Sequence, residues 1–203
     1  MTLAQRINSL TRKVPAWLIY LVAVIPPVWY FSLAFSGNLP GDPAKIIERE
    51  IGALGLKLLI AVLLITPLRE VTGVSLIKYR RALGVTAFFY ILLHFTVWAV
   101  LDVQSVGAAL TAIVKYPYII VGMTALVLMT PLALTSNNWS IRKLSPARWK
   151  WLHKLTYPIV ILGGVHYYML SKSSFQPLVY LGIILVLLAM RLKLRRFLAP
   201  VRG

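Results

Sequence analysis

Six apolar stretches dominate this chain of 203 residues. A transmembrane helix needs about 20 consecutive apolar residues to cross about 30 Å of hydrocarbon. Most of the stretches approach that length, in a chain that is 59% hydrophobic and 13% charged. They run from Pro15 to Phe35, Ile51 to Pro67, Ala82 to Leu101, Tyr116 to Thr135, Leu152 to Leu170 and Pro177 to Met190. The pattern predicts an all-α, polytopic membrane protein whose six transmembrane helices form a single domain over residues 1–203.

The basic residues alternate with the apolar stretches. The chain has 22 Lys and Arg against 5 Asp and Glu, and the cations cluster before the first stretch, between the second and third, between the fourth and fifth, and after the sixth. They are Arg6, Arg12 and Lys13; Arg69, Lys78, Arg80 and Arg81; Arg142, Lys143, Arg148 and Lys150; and Arg191, Lys193, Arg195, Arg196 and Arg202. The positive-inside rule therefore predicts that both termini and the two basic loops are cytoplasmic. The same dispersal argues against a nucleic-acid partner and for contact with membrane lipid.

Several kinds of cofactor site are excluded by what the sequence lacks. Without cysteine there can be no disulfide, iron–sulfur cluster or covalently attached haem. The sequence also shows no glycine-rich dinucleotide motif and no P-loop, so it offers no recognisable site for NAD(P)H or ATP. If this protein moves electrons, we expect them to come from another molecule.

The chain has three histidines, and all lie in or beside apolar stretches. His94 lies thirteen residues beyond Arg81, and His166 lies thirteen residues beyond His153, so each is roughly 20 Å from the predicted inner face. Ionisable residues are rare inside membranes and often mark functional sites. Two neutral imidazoles at one depth on facing helices could bind a haem iron from both sides. The alternative is that they only hydrogen-bond neighbouring helices.

A zinc site is less well supported by the surroundings of these histidines. The neighbours of His94 and His166 are mainly apolar and supply no third or fourth zinc ligand. His153 would not point into the same cleft as His166, because a regular helix would place the two side chains about 140° apart around its axis. A kink at Pro158, or a bulge near the Gly163-Gly164 pair, would change that angle. The glycines could instead allow close packing against another helix or a cofactor.

Arg80 and Arg81 directly precede the third stretch, at the predicted inner level, where a histidine partner for His153 would be expected. Such arginines commonly set topology and contact lipid headgroups. Their other interpretation is a site for an anionic cofactor, because guanidinium groups bind phosphates and carboxylates with paired hydrogen bonds. Lys57, about six residues into the second stretch, either snorkels outward or faces inward to contact a haem propionate.

Four groups of residues are similar to those of a known family. They are Gly41-Asp-Pro43, Leu63-Leu-Ile-Thr-Pro-Leu68, Arg80-Arg-Ala-Leu-Gly84 leading to Leu93-His94, and Trp151-Leu-His-Lys-Leu-Thr-Tyr157 leading to His166-Tyr167. Over nearly all its length the chain resembles the haem-binding membrane subunits of bacterial periplasmic methionine-sulfoxide reductase systems, within the ferric-reductase-like transmembrane superfamily.

The resemblance implies a multi-pass b-type cytochrome of the bacterial inner membrane. It would carry electrons from a cytosolic flavin reductase or from quinol to a periplasmic molybdopterin enzyme that repairs methionine sulfoxide. It implies haem b and FMN as cofactors, with quinone as a further candidate. His94 and His166 would be the axial ligands of an outer haem, and His153, Arg80 and Arg81 would form an inner site for flavin, quinone or a second haem. Relatives with two stacked haems use four histidines, and the fourth is missing here.

The sequence thus predicts an electron-transfer subunit of an oxidoreductase complex rather than a stand-alone enzyme. Two other functions remain open at this level. One is direct reduction of ferric or cupric ions at the outer face. The other is a small non-redox transporter or assembly factor whose histidines pack or relay protons.

Overall fold

The computed structural model describes residues 1–171 and 175–198, without the side chains of residues 193–198. Arg202 and the side chains of Lys193, Arg195 and Arg196, assigned above to the inner face, therefore lie outside the described residues. The prediction of an all-α fold is confirmed, since residues 1–171 and 175–198 contain helices and no strand. The α-helices are α1 (Leu3–Lys13), α2 (Leu18–Phe35), α3 (Pro43–Thr72), α4 (Arg80–Val97), α5 (Val106–Lys115), α6 (Pro117–Leu134), α7 (Asn138–Leu144), α8 (Pro146–Leu152), α9 (Thr156–Leu170) and α10 (Gln176–Leu198).

Four segments of the described chain are long and apolar enough to cross a membrane: α2, α3, the continuous segment Ile77–Asp102 that contains α4, and α6. Val106–Lys115 and Gln176–Leu192 are shorter apolar helices. The 15 residues of α9 give a length of about 22 Å, less than the hydrocarbon thickness. The protein is a transmembrane protein, while the count of six crossings, the single domain and the cytoplasmic termini stay predictions.

The second span begins eight residues earlier than the apolar stretch predicts. Asp42 caps α3 by accepting hydrogen bonds from the backbone N–H groups of Ala44 and Lys45, and Pro43 occupies the first turn. Gly73 ends the helix in the left-handed conformation, with φ of 76°. The 30 residues of α3 span about 45 Å, so the helix extends beyond the hydrocarbon. Local capping, rather than hydrophobicity, sets its ends.

Helix α2 contains two prolines, Pro26 and Pro27, and the second is accommodated by a hydrogen bond from α4. Pro27 has no N–H, so the carbonyl of Ala23 lacks its usual helical donor. The hydroxyl of Tyr90 on α4 donates to that carbonyl at 2.6 Å. Because a free carbonyl is costly in hydrocarbon, this bond secures α2 against α4 at the level of Pro27.

Pro67 of α3 is accommodated in the same way by α10. It leaves the carbonyl of Leu63 without a helical donor. The buried guanidinium of Arg191 donates to this carbonyl through Nη2 at 2.6 Å and Nε at 3.1 Å, and to the carbonyl of Val62 at 3.2 Å. Arg191 thus joins α10 to α3 from a position that the sequence assigned to the inner-face cations.

The core lies where α3, α4, α6, α9 and α10 meet, and α2 contributes no buried residue. Its buried members are Leu56, Leu59, Leu63, Ala87, Met129, Ile159, Val160, Ile184 and Leu187. Gly164 allows close approach here, because a Cβ at this position would lie 2.8 Å from Leu181 and 3.0 Å from Ile184 of α10. Of the two interpretations of the Gly163-Gly164 pair, close helix packing is the one that the structure shows.

Candidate functional site

A cavity of about 480 Å³ lies between α3, α4, α6 and α9. Its walls are largely apolar and include Leu56, Leu59, Met129 and Ile159. Lys45, Glu48, Arg49 and Asp102 line the end that lies next to the start of α3. The structure brings two of the three histidines, His94 from α4 and His166 from α9, to this same cavity.

His94 is held against α3 by a hydrogen bond to the main chain. Its Nδ1 lies 2.8 Å from the carbonyl oxygen of Glu48. A carbonyl can only accept, so Nδ1 carries the proton and the lone pair is on Nε2. Gly52 stands one turn further along α3, and a Cβ there would lie 2.7 Å from Nδ1. The ring fits because position 52 has no side chain.

His166 is held against α6 by the same arrangement. Its Nδ1 donates to the carbonyl oxygen of Tyr118 at 2.7 Å, which leaves the Nε2 lone pair free. Gly122 follows Tyr118 by four residues, as Gly52 follows Glu48, and a Cβ at Gly122 would lie 2.8 Å from the ring. The pairs α3–α4 and α6–α9 therefore orient their imidazoles in the same way. In each, Nδ1 carries the proton and Nε2 is left unprotonated and suited to bind a metal.

The separation of the two rings fits one metal ion between them. Their centroids are 6.2 Å apart, with the ring planes at 83°. A metal–imidazole bond is about 2.0–2.1 Å and the nitrogen lies about 1.1 Å from its ring centroid, so two rings ligating one ion would have centroids about 6.3 Å apart. Residues 1–171 and 175–198 contain no group of three or more His, Cys, Asp or Glu that could hold a metal ion. A macrocycle that supplies its own four nitrogens fits this pair of histidines and its apolar walls better than a bare ion does.

His153 lies apart from the cavity. It begins a 3₁₀ turn, His153–Leu155, between α8 and α9, so the regular helical angle assumed between it and His166 does not hold. Its ring stacks on Trp149 with centroids 3.9 Å apart, and its Nε2 lies 3.2 Å from the hydroxyl of Thr135. Trp149 in turn donates to the carbonyl of Thr135 at 2.8 Å. A Trp–Thr–His cluster thus closes the end of α6.

Arg80 and Arg81 are exposed at the start of α4 and interact electrostatically with His153. Arg81 donates through Nη1 to the side-chain oxygen of Asn138 at 2.8 Å. The structure therefore brings His153, Arg80 and Arg81 to one neighbourhood, separate from the cavity that contains the other histidines.

The propionate contact considered for Lys57 stays a prediction. Lys57 is exposed on α3 and is not among the residues that line the cavity. Its position agrees with the alternative, in which the side chain snorkels outward. The cations that do line the cavity are Lys45 and Arg49, two turns or more before Lys57.

The residues that orient the histidines were not predicted from the sequence. Glu48 and Tyr118 act through their main-chain carbonyls, which every residue has, so their side chains give no indication of this role. Gly52 and Gly122 did offer one, because glycine is unfavourable in a helix interior and indicates close approach of another group. Which group approaches each glycine could be learned only from the packing of the helices.

The fold and the cavity define a polytopic helical membrane protein with a paired-histidine site. Residues 51–164 match the family model described as ferric reductase like transmembrane component, a range that ends two residues before His166. No solved structure matches the chain.

Curated relatives define the family more closely. The chain is 49% identical over 178 residues to the protein-methionine-sulfoxide reductase heme-binding subunit MsrQ of Brucella anthropi, covering 87% of this chain and 80% of that protein. It is 48% identical, with the same coverage, to the proteins of that name from Brucella ovis and Brucella suis. The chain belongs to the MsrQ family.

Proposed function

We propose that this protein binds haem b between His94 and His166 and carries electrons to a protein-methionine-sulfoxide reductase. The observation that carries the proposal is the prepared pair of imidazoles: centroids 6.2 Å apart, each with Nδ1 bonded to a main-chain carbonyl and Nε2 free. The relatives from Brucella, which are named as heme-binding subunits of such a reductase, agree with it.

Haem held by His94 and His166 would supply a one-electron carrier, and holding it through two histidines would suit electron transfer rather than oxygen binding. The protein contributes orientation and environment. Main-chain carbonyls fix each imidazole before the cofactor enters, and apolar side chains such as Leu56 and Met129 keep water from the cavity. Lys45 and Arg49 at one end of the cavity would be suitable partners for the propionates.

The partners and the second site are the finer part of the proposal. In a bacterial inner membrane the acceptor would be the periplasmic molybdopterin enzyme MsrP, and the donor a cytosolic flavin reductase or quinol. An inner site at His153, Arg80 and Arg81 would receive FMN, quinone or a second haem. The clustering of these three groups supports this site. The charge distribution supports it too, because four of the five acidic residues, Asp42, Glu48, Glu50 and Asp102, lie on the predicted outer side, and Glu70 alone remains for the predicted inner side.

The test is a reduced-minus-oxidised optical spectrum of the purified protein, with haem content measured on the same sample. We expect b-type bands in the parent protein and their loss in His94→Ala and in His166→Ala. His153→Ala is the comparison variant, because it removes the histidine that lies outside the cavity: it should keep the haem of the cavity, and a partial loss of haem would indicate a second haem at the inner site. Bands that survive loss of both His94 and His166 would contradict the ligand assignment, and a parent protein without b-type bands would contradict the function.

A further inference from the structure

The first helix, α1, has two chemically different faces. At 100° per residue, Leu3, Ile7 and Leu10 fall on one face and Ser9 and Arg12 on the other. No residue of α1 is buried, and Leu3 and Leu10 are 74% and 61% exposed. An apolar face of this kind is unfavourable in water, so it indicates a partner that the described residues do not supply.

The position of α1 relative to the membrane follows from its connections. Only four residues, 14–17, separate it from the transmembrane helix α2. Asn8 binds the α3–α4 loop in both directions: its amide donates to the carbonyl of Gly73 at 3.0 Å, and its oxygen accepts from the N–H of Ser75 at 2.8 Å. Because that loop joins two transmembrane segments, α1 lies at their ends, at the level of the membrane surface.

Two further loop residues fix the C-terminal end of α1. The hydroxyl of Tyr79 donates to the carbonyls of Thr11 and Val14, both at 2.8 Å. Lys78 donates to the carbonyl of Arg12 at 3.0 Å. These bonds attach α1 to the residues directly before Arg80, so that the position of α1 and that of the inner arginines are linked.

All the charged side chains of α1 are cationic. They are Arg6 and Lys13, along the edge of the apolar face, and Arg12 on the opposite side, and the helix contains no acidic residue. The ion pairs found in the described part of the chain, Lys45–Asp42 and Arg49–Glu50, lie elsewhere. A cationic face beside an apolar face, at the level of the membrane surface, matches an anionic lipid surface in both respects.

We propose that α1 lies flat in the membrane interface, with Leu3, Ile7 and Leu10 among the acyl chains and its three cations on anionic phospholipid headgroups. The hydrogen bonds to the α3–α4 loop then hold that loop, and with it Arg80 and Arg81, at headgroup level. This contact is separate from the proposed haem site and would stand if that proposal failed.

The depth of each face can be measured by site-directed spin labelling, because the natural chain has no cysteine. Leu10→Cys reports on the apolar face, and the neighbouring Ser9→Cys is the matched control on the polar face. Each full-length variant is labelled and placed at one copy per nanodisc of mixed zwitterionic and anionic phospholipid. We expect the Leu10 label to collide more often with oxygen than with a water-soluble nickel complex, and the Ser9 label to show the reverse.

Equal access of the nickel complex to both labels would overturn the proposal, since α1 would then stand in water. Protection of the Leu10 label that appears only when two copies share a disc would assign the face to a second copy and would also overturn it. The hydroxyl of Ser9 donates to the carbonyl of Arg6 within α1 itself, and the hydrocarbon side chain of Leu10 forms no hydrogen bond. Neither substitution removes a bond that attaches α1 to the α3–α4 loop, so neither variant is expected to detach or unfold it.

The preference for anionic lipid needs a second measurement. Spin-labelled phosphatidylglycerol and phosphatidylcholine are compared for their association with the parent protein and with the variant Arg6→Gln/Arg12→Gln/Lys13→Gln. We expect the variant to lose its preference for phosphatidylglycerol by up to about fivefold for each cation, the factor that corresponds to about 1 kcal/mol. An unchanged preference would remove anionic headgroups as the partner of this face.

Discussion

Replacing Gly52 by alanine would place a methyl group against the ring of His94. The new Cβ would lie 2.7 Å from Nδ1 and 3.0 Å from Cε1, whereas an ordinary contact begins at 3.4 Å. The ring must therefore retreat by about 0.7 Å, which would stretch its bond to the Glu48 carbonyl from 2.8 Å to as much as about 3.5 Å, longer than a good N–H···O bond. Metal–ligand distances tolerate only about 0.2 Å. The backbone of α3 is a rigid wall, so the imidazole is the group that has to move.

We expect Gly52→Ala to lower haem affinity by roughly 10- to 100-fold, the usual effect of losing a group that orients a metal ligand. The measurement is haem titration of the purified apoprotein, followed by its absorption bands. Gly122→Ala should behave alike, because its Cβ would lie 2.8 Å from the ring of His166.

Gly84→Ala is the matched control, since it lies on the same helix as His94 and its Cβ would meet nothing within 4 Å. Alanine is about 1 kcal/mol more favourable than glycine inside a helix, so this variant should keep its haem and unfold at higher denaturant. Full haem affinity in Gly52→Ala and Gly122→Ala would show that the missing side chains at these two positions are not what orients the histidines.

Three further substitutions test the hydrogen bonds of the fold, each by the free energy of unfolding measured in mixed detergent micelles. Tyr90→Phe should lower it by about 1–3 kcal/mol, because the carbonyl of Ala23 then loses its donor, and an unchanged value would mean that water reaches that carbonyl. Arg191→Met should cost about 2–3 kcal/mol by leaving the carbonyl of Leu63 unpaired, whereas equal stability would show that burial of the cation offsets its bonds. Thr86→Val should be neutral or stabilising by about 1 kcal/mol, since its buried hydroxyl has no partner among the described residues, and a clear loss of stability would reveal a bond that the structure does not show.

The sequence alone predicted the positions of the membrane helices correctly where hydrophobicity determines the ends of a helix. Pro117–Leu134 and Leu18–Phe35 lie within the predicted stretches, because long apolar runs must satisfy their backbone groups as helices in lipid. It failed where capping or amphipathicity decides. The early start of α3 depends on Asp42, and α1 and α5, which are too short to span a membrane, lie outside the six predicted stretches.

The sequence also indicated that His94 and His166 share a depth, because the rise of a helix per residue is nearly constant. It did not determine that they face each other, nor which nitrogen of each is free. Those features depend on how α4 rotates against α3 and α9 against α6, and on main-chain carbonyls that no side-chain pattern encodes. The apolar stretches and the spacing of the histidines thus determined a helical membrane protein with two histidines at one depth. The packing of helix pairs at two glycines determined the site, because a ring can approach a backbone carbonyl only where the neighbouring turn has no side chain.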